Sequence, residues 1–213
     1  MNTTRNAFVT GGTGFVGTWM RKTRPDGVSL AGVGRDKYDV INRVTQMDYI
    51  VHLAPVDPID AIEAARDNNC RLLYCSSGIV YHPENDTQYR RDKMQWEFDC
   101  LTSGVDVVIA RLFTFMQSST VYNALFDAAR AGNQLRVWGD CTRSFMHGRR
   151  MGEQMWDILR HGENGCAYDV GSDRAITVMQ LAQRIHAFTG CVIKQVKNHP
   201  VPMPVYLPTE NRI

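Results

Sequence analysis

The sequence contains no run of 18 consecutive apolar residues, which excludes a membrane-crossing helix. Its start, Met1 to Asn6, is polar and leads straight into an apolar strand-like stretch, unlike a secretory leader. Its six cysteines (Cys70, Cys75, Cys100, Cys141, Cys166 and Cys191) include no Cys-x-x-Cys pair. A zinc site and a disulfide framework are therefore not expected, and reduced, mostly buried thiols are. His82, His147, His161, His186 and His199 show no metal spacing, and His52, just after a strand, reads as a packed or hydrogen-bonded histidine. Neither sign of charge dominates: 24 Lys+Arg against 22 Asp+Glu leave a formal +2, which argues against a strongly electrostatic nucleic-acid binder. No repeat and no low-complexity tract is present. What remains is a 213-residue chain, 44% hydrophobic and 22% charged, the size of one generous domain or one domain with an appendage. A cytoplasmic, soluble protein with neither nucleic acid nor membrane as partner is expected.

The chain alternates short β-branched runs with longer helical patterns, which predicts βαβ units and an α/β fold with a doubly wound, Rossmann-like parallel sheet. Strands are expected over residues 7–10, 28–32, 49–53, 71–75, 105–110, 135–138, 167–170 and 191–196. Helices are expected over 15–23, 59–68, 87–102, 121–131, 152–160 and 178–189, the last with Thr177 as N-cap and Gly190 beyond its C-terminus. Four prolines between His199 and Pro208 predict an extended tail. Residues 1–111 read as the dinucleotide-binding core with the catalytic residues. Residues 112–213 read as the last core elements plus a small C-terminal substrate lobe, with Trp138, Trp156, Phe126 and Phe188 in that lobe's core.

The strongest local signal is Val9-Thr10-Gly11-Gly12-Thr13-Gly14-Phe15-Val16-Gly17. Glycines at 11, 14 and 17 between a strand and a helix allow a tight turn, close approach to a pyrophosphate and close helix packing. Amide groups freed there, with the positive end of the helix, hold phosphate. At the end of the second strand Arg35 precedes Asp36. Arg35 could fork onto the 2′-phosphate of NADP or be a solvated loop charge, whereas Asp36 could bind the ribose hydroxyls of NAD. The balance leans to NADP over NAD. Asp39 could face the adenine edge or serve as a turn or cap residue.

After the fourth strand comes Ser76-Ser77-Gly78-Ile79-Val80-Tyr81, then Tyr89-Arg90-Arg91-Asp92-Lys93 opening what reads as an amphipathic helix. Tyr89 and Lys93, four apart, share a helix face, so Lys93 is expected to lower the phenol's pKa. Tyr89 then serves as general base or acid on a substrate hydroxyl, with Ser77 bonding the same group. Further on, Arg143 reads as an exposed arginine after a Gly-Asp turn, suited either to phosphate or to a surface salt bridge.

Taken together, Gly11/Gly14/Gly17, Val51-His52-Leu53-Ala54, Ser76 to Tyr81, Tyr89-x-x-x-Lys93 and Arg111-Leu112-Phe113 resemble the extended short-chain dehydrogenases/reductases, the NAD-dependent epimerase/dehydratase family. The likeness runs on through Leu135 to Asp140, Arg143 to His147, Tyr168 to Ser172 and Thr177 to Ala182. The resemblance implies Ser77, Tyr89 and Lys93 as catalytic residues. It places Gly11, Gly14, Phe15, Val16, Gly17, Leu53 and Ala54 at the cofactor together with Tyr89 and Lys93, and Ser77, Thr114 and Arg143 at the substrate. It further implies an NAD(P)-dependent epimerase or reductase of a nucleotide sugar, working by hydride transfer at a ring carbon, and a possible homodimer through the helices near 87–102 and 121–131. The chain departs from the family in being compact, in the 12-residue step from Ser77 to Tyr89, in Thr114-Phe115-Met116-Gln117 after Arg111-Leu112-Phe113, and in Ser144 after Arg143. Gly78-Ile79 in place of an Asp-Glu pair disfavours a 4,6-dehydratase. The trimmed sugar side keeps two further readings open: a non-catalytic NAD(P)-binding sensor or scaffold, and a reductase of a smaller carbonyl substrate.

Overall fold

The computed structural model describes residues 4–34, 41–116, 120–138 and 141–196. The chain runs through β1 (Arg5–Thr10), α1 (Phe15–Lys22), β2 (Val28–Val33), β3 (Tyr49–His52), α2 (Ile59–Asp67), β4 (Arg71–Ser77), α3 (Gln88–Thr102) and β5 (Val107–Leu112). Next come β6 (Thr114–Phe115), α4 (Thr120–Arg130), β7 (Leu135–Trp138), β8 (Thr142–Arg143) and β9 (Phe145–Met146). It closes with α5 (Gly148–His161), β10 (Ala167–Val170), β11 (Ile176–Thr177), α6 (Val178–Thr189) and β12 (Ile193–Val196). Every strand and helix expected from the sequence is present. The two-residue strands β6, β8, β9 and β11 are additions, too short to leave a period-two pattern. Two compact units result: residues up to Leu112 with Gly148–Val170, and Phe113–His147 with the described residues from Gly171 on. The predicted extended tail over 199–208 lies outside the described residues.

The first unit is a six-stranded sheet in the order β10-β5-β4-β3-β1-β2, with every pairing parallel. Parallel strands covered on both faces read as unbroken apolar runs, and Ile50-Val51, Leu72-Leu73 and Val107 to Ala110 are fully or nearly fully buried. Phe8, Ile50, Leu72, Tyr74 and Ile109 join α2 and Cys100 of α3 in one core. The alternate residues Val9, Val51, Leu73 and Val108 point to the opposite face, on which α5 packs. The order reverses at β1, flanked by β2 and β3, so the crevice at the carboxyl ends of β1 and β3 is the switch point where open α/β sheets take ligands.

That crevice is tied together by His52. Its Nε2 lies 3.1 Å from the Val56 carbonyl, which only accepts, so Nε2 carries the proton. Nδ1 therefore accepts from the Thr10 hydroxyl at 3.2 Å, and Thr10 Oγ1 in turn accepts from the Ala54 amide at 3.4 Å. The ring stacks on Tyr74, with centroids 5.9 Å apart. Burial pushes the His52 pKa down to about 4, so the ring is neutral across the physiological range.

Helix α5 begins at Gly148, four residues before the expected start, because Gly148 and Gly152 are where it lies against α1. A Cβ on Gly148 would stand 2.0 Å from Trp19 Nε1, and one on Gly152 would stand 2.9 Å from the Trp19 carbonyl oxygen. Trp156, one turn on, donates to the Met20 carbonyl at 2.8 Å, answering one of the orphan acceptors at the end of α1. Trp156 thus belongs to the first unit and not, as expected, to the core of the C-terminal lobe.

The second unit packs α4 and α6 around Leu125, Leu135, Val137, Phe145, Leu181 and Ile185, with β12 parallel to β7 and β11 antiparallel to β8. Thr177 caps α6 in a reciprocal capping box with Gln180, and Gly190 ends it at φ 68°, both as expected. Phe126 packs on this core, but Phe188 is 92% exposed and contributes nothing to it. The Trp138 side chain lies outside the described residues.

Gly148→Ala is expected to destabilise the protein by about 1–3 kcal/mol, the usual penalty for overpacking, read as a lower urea midpoint. His52 sets a pH dependence whose sign is fixed: the unfolded chain binds a proton near pH 6.5 and the folded one only near 4. Stability should therefore fall as pH drops from about 6.5 to about 4, by up to about 3 kcal/mol from this group. Denaturant unfolding at several pH values should show a shallower acid limb for His52→Gln.

Candidate functional site

The loop after β1 turns on Gly11, whose φ of +69° is open to glycine and strained for other residues. A Cβ there would also stand 3.1 Å from the Leu53 and Ala54 backbone, so the β1 and β3 ends meet tightly at the switch point. The Gly12 amide donates to Val33 at 2.9 Å and the Gly14 amide to Gly11 at 3.0 Å, fixing the turn. Gly17 presses against the Gly12 backbone, 2.5 Å from any added Cβ, so the third glycine serves closeness of helix and loop rather than of helix and strand. Gly14 caps α1 without a side-chain bond, and the first turn holds no acidic residue while the last holds Arg21 and Lys22. The amides of Phe15, Val16 and Gly17 therefore head an uncapped helix whose positive end suits an anion.

Strand β4 delivers Ser76 and Ser77 to the same edge of the sheet, and a 3-10 turn over Gly78–Tyr81 follows. Ser77 Oγ accepts from the Ile79 amide at 3.4 Å, and Ser77 neighbours the Tyr89 phenol closely enough to lower its pKa. Ser76 is 3% exposed, and its hydroxyl has no partner among the described residues. Such a buried orphan is rare and fits a ligand atom. Thr87 caps α3 by accepting from the Arg90 amide at 3.2 Å. The first two turns then carry Tyr89, 47% exposed, and Lys93, 4% exposed, with Lys93 Nζ 5.9 Å from the centroid of the Tyr89 ring.

Two expectations are corrected here. Lys93 does not lower the Tyr89 phenol: desolvation raises its pKa above the ordinary value, and Ser77 offsets this only in part. The Lys93 ammonium itself donates to the Cys75 carbonyl at 2.9 Å and to the Tyr74 hydroxyl at 3.1 Å. Burial in turn pushes the Lys93 pKa below its ordinary value. Nor is α3 amphipathic in the expected sense. Its buried stripe is Lys93, Glu97 and Cys100, whereas Met94, Phe98 and Leu101 face outward at 45%, 60% and 44% exposure.

Beneath that stripe lies a network the sequence did not disclose. Glu97 accepts from Arg111 Nε at 3.0 Å and from Nη2 at 2.6 Å in a two-pronged pair. Arg111 Nη1 reaches the Tyr81 oxygen at 2.6 Å, and the Tyr81 hydroxyl donates to Asp169 Oδ1 at 2.9 Å. Arg111 and Tyr81 stand in the sequence only as letters of separate motifs, and nothing there pairs them. The one local signal was the four-residue step from Lys93 to Glu97 on a helix.

The remaining expected residues fall elsewhere. Thr114 lies in the second unit on β6, opposite Phe145 of β9. Arg143 lies in the second unit on β8 and is buried rather than exposed, at 6%, with Nη1 donating to the Thr142 carbonyl at 2.9 Å. The strand pairing of β8 with β11 takes it out of the turn expected from Gly139-Asp140. Arg35, Asp36 and Asp39 lie outside the described residues. Among the described residues no cluster of His, Cys, Asp and Glu could hold a metal, and no helix is long and apolar enough to cross a membrane.

By sequence, no protein-family model and no curated protein matches the chain. By structure it is similar to UDP-N-acetylglucosamine 4-epimerase from Bacillus cereus, with a TM-score of 0.81 and 19% identity over 97% of this chain and 90% of that one. RMD from Pseudomonas aeruginosa, solved with NADPH, aligns with a TM-score of 0.75 and 24% identity over 91% of this chain and 87% of that one. dTDP-glucose 4,6-dehydratase from Bacillus anthracis, solved with NAD, aligns with a TM-score of 0.76 and 16% identity over 94% and 87%. The parallel sheet, its strand order and this overlap together establish that the chain has the Rossmann-like α/β fold of these solved structures.

Proposed function

We propose that the protein is an NAD(P)-dependent enzyme of the extended short-chain dehydrogenase/reductase type, acting on a nucleotide sugar as an epimerase or reductase. The observation that carries this is the meeting of Ser77, Tyr89 and Lys93 at the carboxyl edge of the sheet, in the same unit as the glycine loop. A binding protein has no chemical need for all three. The cofactor fits the residues present: Gly11, at positive φ, and Gly14 are packed on backbone too closely for a Cβ and keep the loop bare, the α1 amides head an uncapped helix, and Ser76 offers an unpartnered hydroxyl. When bound, NAD(P) supplies the hydride exchange.

The chain's own groups handle the proton. Tyr89, beside Ser77, can give its phenolic proton to a carbonyl oxygen or take one from a hydroxyl. Ser77 orients the same oxygen, and the Lys93 ammonium places positive charge behind the phenol. Because the Tyr89 pKa stands above its ordinary value, the phenol is protonated at neutral pH, which favours the proton-donating, reductive direction. The neighbours' names supply the substrate class: one is a UDP-N-acetylglucosamine epimerase, and a second epimerase, from Methanobrevibacter ruminantium, was solved with UDP-N-acetylmuramic acid. Buried Arg143 and Thr114 are the substrate-side candidates. Free cysteines, four of the six buried, suit a reducing, cytoplasmic setting. The outward stripe of Met94, Phe98 and Leu101 suits a second copy of the chain.

In a fluorescence titration the purified protein should bind NADH or NADPH, and with UDP- and dTDP-sugars it should turn over. Tyr89→Phe should lose roughly a hundredfold or more in turnover while keeping cofactor affinity. Full activity in that variant, or no binding of either cofactor by the wild type, refutes the assignment. Light scattering should give a dimer for the wild type and a monomer for Phe98→Glu, and a wild-type monomer rejects the self-association.

A further inference from the structure

The Lys93 ammonium is buried, and among the described residues no carboxylate is bonded to it. Glu97, one turn further along the same helix, is taken up by two nitrogens of Arg111. Aromatic groups and one carbonyl surround the charge instead. The Tyr74 hydroxyl accepts from Nζ at 3.1 Å and the Cys75 carbonyl at 2.9 Å, and Nζ lies 5.2 Å from the centroid of Trp96. Tyr74 is wholly buried, and burial drives its phenol well above the ordinary range, so it remains a neutral acceptor. Trp96 is half-buried on the outer side of the same ammonium.

We propose that Tyr74 and Trp96 are positioning residues for Lys93, holding its ammonium charged and fixed in place behind Tyr89. The kinetic part of this rests on the hydride-transfer reading; the electrostatic part does not. An ammonium stripped of water needs acceptors or π faces to stay charged. Here the phenolic oxygen supplies a charge-assisted hydrogen bond from the sheet side, and the indole supplies a cation–π contact. With two of its three N–H donors committed to β4, Lys93 keeps one for a ligand. The titratable neighbours are Cys75, Tyr74 and His52 from the strands, and Glu97, Cys100, Asp92 and Tyr89 from α3. Desolvation outweighs them all and lowers the Lys93 pKa, so any lost acceptor adds to a shift already downward.

The chain has only five lysines, which makes a direct test practical. Protein carrying 13C-labelled lysine is titrated by NMR without cofactor, the Lys93 signal being assigned by its loss in Lys93→Met. Lys93 should deprotonate at lower pH than the other lysines in the wild type, and at lower pH still in Tyr74→Phe and Trp96→Leu. Tyr74→Phe deletes one oxygen and keeps the ring, so the fold should survive; if either variant fails to fold, the other decides. In the kinetic arm, Tyr74→Phe should lower kcat roughly tenfold at little cost in KM and move the alkaline limb of the pH profile downward. An unchanged Lys93 titration in the folded variants overturns the proposal even if the wild type is active. A wild type without cofactor binding or turnover, in which the lysine shifts still appear, removes the hydride-transfer reading alone.

Discussion

The paired charges of Glu97 and Arg111 are the constraint on which the rest of the site depends. Burying a carboxylate and a guanidinium is unfavourable unless every lone pair and proton is answered, and here the two-pronged pair, the Tyr81 oxygen and the Asp169 carboxylate answer them. The network joins α3, β5, the 3-10 turn and β10, four pieces far apart in the chain. Because Lys93 lies one helical turn before Glu97, fixing the carboxylate fixes the ammonium. Because Tyr89 lies one turn earlier again, it fixes the phenol. The reactive edge inherits its precision from a contact beneath it.

That arrangement inverts the usual logic of a surface helix. Helix α3 turns Lys93 and Glu97 to the sheet and Met94, Phe98 and Leu101 to the outside. The core gives up apolar area on this face in exchange for a polar scaffold. The remaining apolar surface is left as a band along the helix, available to a partner.

Much of this was legible in advance, for identifiable reasons. Parallel strands buried on both faces are uninterrupted apolar words, so their places along the chain could be read. Gly11 and Thr177 announce a turn and a cap through local chemistry alone. What escaped were features that need the third dimension. Gly148 reads as a break until Trp19 is placed against it, and a glycine that makes room is indistinguishable in a string from one that ends a helix. Trp156 reads in the string as part of the C-terminal lobe, because α5 returns to the sheet only after an excursion of 35 residues, Phe113–His147. The direction of the Tyr89 shift escapes the sequence because spacing gives the distance from Lys93 but not how far the fold desolvates the phenol. The burial of Arg143 follows from strand pairing with residues more than thirty positions later.

The discontinuity of the first unit bears on how the chain matures. A polypeptide growing from its amino terminus has the glycine loop, both serines, the tyrosine and the lysine by residue 93, and Arg111 soon after. Asp169, the last acceptor of the buried network, and α5, which packs on β4, β5 and β10, come only after the intervening segment has been made. Until then Leu73 and Val108 lack α5 as their cover, and the Tyr81 hydroxyl lacks its acceptor. The nascent chain thus carries every reactive group well before it can hold them still, which makes this interval of synthesis the one in which a chaperone has most to protect.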